Sequence, residues 1–130
     1  MQWLVDGMNV IGSSGGTGGG FHSWWKDRDR AMLHLVDMLE RWAAAEGEDV
    51  VVVFERPPSP PIRSTVIEVA HAPKPRANAA DDEIVRRLTA APDVRAVRVV
   101  TSDRALAERA WGIGATVEGA DSFRLRLEAL

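Results

Sequence analysis

The sequence predicts an α/β domain built on a parallel sheet, and three observations carry that prediction. Short apolar runs rich in branched residues recur along the 130 residues, as in strands buried on both faces. Stretches with helical apolar spacing lie between them, and strands alternating with helices require right-handed crossovers and three layers. The chain is 45% apolar and 27% charged, a composition that folds into a packed core rather than a fibre or a disordered chain. Its length is that of one domain, residues 1–130.

Taken in order, Gln2 to Val5 and Val50 to Phe54 read as the two most deeply buried strands. Val66 to Ala70 and Ala96 to Thr101 are similar, with Glu68 and Arg98 alternating outward, and Ala115 to Glu118 is a weaker fifth. Met32, Leu35, Val36, Leu39, Trp42 and Ala43 trace one helix stripe that Gly47 ends. Asn78 followed by Asp81 resembles a capping box for a second helix with Ile84, Val85 and Leu88 inward. Ser102 or Asp103 caps a third carrying Leu106 and Ala110; Asp121 or Ser122 caps a last one carrying Phe123, Leu127 and Leu130.

Two segments break the pattern. Gly12 to Gly20 contains six glycines, yet neither the Walker spacing nor the dinucleotide spacing occurs, so it reads as a flexible linker or lid. Pro57 to Pro61 reads as a stiff spacer after the second strand.

Several function classes are excluded. With no cysteine, zinc-thiolate sites, disulfides and thiol nucleophiles are out. Asp6 interrupts the first apolar run, leaving no signal-peptide core, and no stretch reaches the roughly 20 apolar residues of a membrane span. A cytoplasmic protein without a membrane partner is the expectation. A net charge of −3 argues against a broad basic nucleic-acid face, so any RNA contact must be local.

The chemistry lies in the placement of acids. Asp6 ends the first strand, Glu55 the second, Asp81 and Asp82 open the helix after the third, and Asp103 follows the fourth. Carboxyl ends of parallel strands line the binding crevice of open α/β sheets. Crowded carboxylates repel unless a cation sits among them, and oxygen-only ligands select Mg²⁺ or Mn²⁺. Such an ion suits phosphodiester hydrolysis. Each acid also has a plainer role: Asp6 and Asn9 suit a turn, Asp81 and Asp103 suit helix starts, and Glu55 suits a solvated strand end. Their convergence on one sheet edge favours a site. His71, Lys74 and Arg76 on the loop entering Asp81, together with Arg104, form the one plausible phosphate-contacting cluster. Trp3, Trp42 and Trp111 read as core, Trp24 and Trp25 as helix anchors, and His34 as exposed.

The segments V-D-G-M-N-V-I-G (5–12), W-W-K-D-R (24–28), V-V-F-E (52–55), N-A-A-D-D-E-I (78–84) and V-V-T-S-D-R (99–104) together resemble the NYN domain, a branch of the PIN-like nucleases. The likeness is greatest to the bacterial YacP-like subgroup and runs from about Trp3 to Phe123. It implies a PIN-like fold with strand order 3-2-1-4-5 and a metal-dependent endoribonuclease. Asp6, Asp81, Asp82 and Asp103 match the metal-binding acids of that family, and Asn9 its accessory polar residue. Lys74, Arg76 and Arg104 of the cluster above, on their own placement rather than on the resemblance, are the expected RNA contacts, the RNA being free or ribosome-associated. Glu55 stands where Asp is usual, and the glycine run is longer than expected, which touches lid shape and substrate choice. The alternative is a PIN-like module that binds RNA or the ribosome without cutting. Monomer and homodimer both remain open.

Overall fold

The computed structural model describes residues 1–15 and 21–130. Five strands form one all-parallel sheet: β1 (Gln2–Asp6), β2 (Asp49–Phe54), β3 (Glu68–His71), β4 (Val97–Val100) and β5 (Thr116–Glu118). Their order is β3-β2-β1-β4-β5, as the family likeness implies. The central strand β1 pairs on one side with β2, from Gln2↔Asp49 to Asp6↔Val53, and on the other with β4, from Gln2↔Val97 to Val5↔Val100. Strand order therefore reverses at β1, the position where open α/β sheets gather ligands.

Side-chain alternation in β1 and β2 explains the two helical layers. Trp3, Val5, Val50, Val52 and Phe54 face one core, filled by Met32, Leu35 and Leu39 of α2 (Arg28–Glu46) and by Phe123 and Leu127 of α5 (Ala120–Glu128). Leu4, Val51 and Val53 point the other way, with Val97 and Val99, onto Ile84 and Leu88 of α3 (Ala79–Ala90) and Leu106 and Ala110 of α4 (Arg104–Ile113). Each such side chain contributes about 1.5–3 kcal/mol on burial, so both sheet faces must be covered. Helix α2 starts where Asp27 accepts a hydrogen bond from the Arg30 amide at 3.1 Å and stops at Gly47, whose φ of 67° is left-handed. No helix among the described residues is long and apolar enough to cross a membrane.

Several local expectations are corrected. The Asp-Gly-Met-Asn segment is not a turn but the start of a short helix, α1 (Gly7–Gly12), entered directly from β1. Strand β3 begins at Glu68 rather than Val66, which is exposed. Asn78 makes no side-chain cap; it takes a φ of 62° and its backbone carbonyl receives the Asp81 amide at 3.1 Å. Helix α5 starts after Gly119 without a side-chain cap, so neither Asp121 nor Ser122 performs that role. Trp111 is 58% exposed and Leu130 56%, so neither is core. His34 is half-buried and meets Phe21 edge-on at 5.1 Å. Residues 16–20, most of the proposed lid, lie outside the described residues. The proline segment packs on α2, where Asp29 Oδ1 receives both the Ser59 amide at 2.9 Å and Arg56 Nη1 at 3.0 Å.

Candidate active site

Asp6 leaves β1 at the centre of the sheet and is only 6% exposed. The Thr101 hydroxyl, just past β4, donates to Asp6 Oδ2 at 3.0 Å. Thr101 Oγ1 itself accepts the Asp103 amide at 3.1 Å, so one buried hydroxyl ties the first acid to the loop bearing the fourth. Asn9 performs a parallel task from α1, its Oδ1 accepting the Ser102 amide at 2.7 Å. Ser102 Oγ in turn accepts the Ala120 amide at 2.8 Å. The turn 101–103 is thereby pinned to β1, α1 and α5 at once.

The remaining acids approach from other strand ends. Asp103 caps α4, with Oδ1 accepting the Leu106 amide at 2.9 Å; its helix-capping role is real and uses one of its two oxygens. Asp81 is half-buried in the first turn of α3. Asp82 is exposed and held between Arg76 at 2.9 Å and Arg109 at 3.2 Å. Glu55 is half-buried after β2 and has no hydrogen-bond or ion-pair partner among the described residues.

Electrostatics shows which acids are neighbours. Burial pushes the Asp6 carboxyl up to about 7; the Thr101 hydroxyl opposes this, and the charges of Asp81, Asp103 and Glu55 add to it. Asp81 rises to about 6, first by burial and then by Asp103, with Arg109 opposing and Asp82 and Glu55 adding. The charges of Asp81, Asp103 and Glu55 thus act on Asp6, and those of Asp103, Asp82 and Glu55 act on Asp81. Among the described residues, no group of three or more His, Asp or Glu side chains is placed to hold a metal ion. Bare carboxylates repel, Asp103 spends an oxygen on its helix, and Asp82 is engaged by two arginines.

Residues 3–130 match the YacP-like NYN domain family. The chain belongs to that family. Two solved structures have the same fold, both of Rae1 (YacP) from Bacillus subtilis. One has a TM-score of 0.79 at 22% identity, covering 99% of this chain and 74% of that one. The other, a tryptophan-to-leucine point mutant, has a TM-score of 0.77 at 22% identity, covering 99% and 75%. No curated protein matches.

The NYN and PIN-like proteins are a ribonuclease family, and its members generally use divalent metals. In this YacP-like NYN domain Asp6, Asn9 and Asp103 are linked through the 101–103 turn, and Asp6, Asp81, Asp103 and Glu55 share one field. The expected RNA contacts are scattered: Arg76 is paired with Asp82, Arg104 with Glu108 at 3.2 Å, and Lys74 stands exposed on the β3–α3 loop. Sequence reasoning missed Thr101 and Arg109. Thr101 carried a signal, a hydroxyl residue at a strand end two positions before Asp103. Arg109 carried none, because its reach to Asp82 depends on how α4 packs against α3.

Proposed function

We propose that this chain is a divalent-metal-dependent endoribonuclease acting in the cytoplasm, with RNA bound across the crevice at the carboxyl ends of β1 and β4. The observation that supports it is the buried Asp6 carboxyl, tied through Thr101 to the turn bearing Asp103, with its pKa pushed up to about 7 by burial and by the charges of Asp81, Asp103 and Glu55. A protein gains nothing in stability from that crowding; a cation relieves it, and a donor set made only of carboxylates fits Mg²⁺ or Mn²⁺. Asp6, Asp81 and Asp103 would hold the ion, with Asp82 joining once released from its arginines. The chemistry such an ion supplies when bound is positive charge against the phosphodiester and a more acidic attacking water.

The residues themselves set orientation and protonation. Thr101 fixes Asp6 Oδ2, leaving Oδ1 for the crevice, and Asp103 keeps Oδ2 outside its helix cap. Asn9 holds the 101–103 turn against α1. Arg76 and Arg109 stand beside Asp82, where they can exchange a carboxylate for a phosphate.

The test is incubation with structured and single-stranded RNA under Mn²⁺, Mg²⁺ or chelator. Wild type should cut with metal, lose activity in chelator, and lose it with Asp6→Asn. At subsaturating metal the rate should rise between about pH 6 and about 7, as Asp81 and Asp6 lose their protons. Among the described residues no group of three or more acids or histidines is placed to hold a metal ion, which favours the second reading, a non-catalytic RNA- or ribosome-binding module. Tight RNA binding with no cutting under any metal would select it.

A further inference from the structure

Beside the acids lies a pocket of about 160 Å³ whose interior the reading above does not use. It is bounded by Met8 of α1, Arg28 and Met32 of α2, Glu55 after β2, and Pro75 and Arg76 before α3. Glu55 belongs to both places, because its charge is felt by Asp6 and Asp81. We propose that this pocket is a subsite for one guanine base of single-stranded RNA, seated next to the carboxylates; the inference rests on the ribonuclease reading and specifies its substrate.

Size comes first. A buried apolar cavity of about 150 Å³ accommodates one benzene ring, so this pocket of similar volume, open on one side, seats one base with part of its ring system outside and excludes a duplex. Chemistry comes next. Met8, Met32 and Pro75 offer apolar and thioether surface suited to an aromatic face. Arg28 has no carboxylate partner among the described residues and already lies 5.3 Å from the Trp24 ring centroid. Guanidinium planes beside apolar side chains are a common surface for stacking a splayed RNA base. Arg56, also on the pocket wall, is committed to Asp29 at 3.0 Å and so shapes the pocket without binding.

Glu55 decides the base. An ionised carboxylate accepts hydrogen bonds and donates none. Guanine alone presents two adjacent donors, N1–H and the N2 amino group, on its Watson–Crick edge, and two carboxylate oxygens can receive them together. Adenine and cytosine place a ring acceptor beside their amino group, and uracil flanks its one donor with two carbonyls, so each brings an acceptor against the carboxylate. A well-formed bidentate contact discriminates by about tenfold or more.

The test measures binding by fluorescence anisotropy in chelator, using labelled uridine hexamers with one central guanine, adenine, cytosine or no replacement. Wild type should bind the guanine hexamer about tenfold more tightly than the others. Glu55→Gln, which supplies one acceptor and one donor group, and Glu55→Asp, which withdraws the oxygens, should each reduce that hexamer to the uridine level and leave the rest unchanged. Equal affinity for all four hexamers, guanine preference surviving Glu55→Gln, or no binding to any hexamer overturns the subsite. Cleavage of a longer RNA under Mn²⁺ by the same preparation separates the two claims. Cutting without guanine selectivity keeps the nuclease and removes the subsite, whereas guanine-selective binding without cutting does the reverse.

Discussion

At the scale of single residues, Asp6 carries opposing demands, because the burial that positions it also disfavours its charge. Its folded pKa of about 7 lies above the ordinary 3.8. The unfolded chain therefore releases this proton near pH 4, while the folded chain keeps it until about 7. Stability is fully present below pH 4 and falls as pH climbs to 7, by on the order of 4 kcal/mol at 1.36 kcal/mol per pKa unit. Asp81 adds a smaller loss of the same sign, ending near pH 6. Glu83 acts in a separate window: Arg86 holds its carboxyl down to about 2, with Arg87 assisting, so its contribution disappears only as pH falls from 4.5 toward 2. Thermal melts in chelator from pH 4 to 8 should thus show declining stability, and Asp6→Asn should flatten the decline and melt higher at pH 8. Asp103 separates capping from crowding. Asp103→Asn keeps a good cap and relieves Asp81, so it should be at least as stable as wild type without metal; Asp103→Ala should fall below the Asn variant by about 1 kcal/mol. Equal melting of the two would show that the Leu106 contact contributes nothing.

At the scale of elements, the long helix α2 and strands β1 and β2 were legible because their periodicities are unambiguous and their ends carry stop signals. Helix α1 was not. It has six residues, no side-chain cap and turn-forming residues at its start, and what makes it helical is tertiary, since Val10 and Ile11 are fully buried beneath the neighbouring helices. Gly7 shows the same limit. Read as a turn residue, it is needed instead for closeness: a Cβ there would lie 2.6 Å from Phe54 Cδ1 and 3.1 Å from Val52 Cγ2. Alanine improves helix propensity by about 1 kcal/mol, but overpacking against the fully buried Phe54 ring costs about 1–3 kcal/mol. Gly7→Ala should therefore lower the urea midpoint and also impair cleavage, because Asp6 and Asn9 flank the displaced residue. Unchanged stability would mean that the Phe54 ring relaxes freely. Helix α4 misled in a different way. Its apolar stripe of Leu106 and Ala110 does face the sheet, together with Ala107, but Trp111, read as core because it is a large aromatic on a helix face, falls on the outer side.

At the scale of the whole molecule, strand order was readable only through family likeness, since local pattern says that strands are parallel but not which ones touch. The candidate acids were legible because the sheet's carboxyl edge is a topological property shared by every parallel strand. The base pocket was not, because Met8, Met32 and Pro75 come from three distant segments. Helix α5 braces the site from behind. Phe123 stacks on Trp3 at 5.5 Å and meets Trp42 edge-on at 5.0 Å, while Arg124 Nε donates to Ser13 Oγ at the end of α1 at 3.0 Å. Phe123→Ala should cost about 3–5 kcal/mol, a large share of a typical 5–15 kcal/mol total, read as a lower urea midpoint with an unchanged slope. A loss under 1 kcal/mol would mean that α5 is an ornament on the fold. The pairing of β1 with both β2 and β4 also has a meaning in time. Residue 6 emerges early in synthesis, but Thr101, which holds its carboxylate, and Asp103, which faces it, follow only after β4 has been made. A half-translated chain carries Asp6 without the turn that holds it, so the crevice exists only once the second half of the sheet has been made.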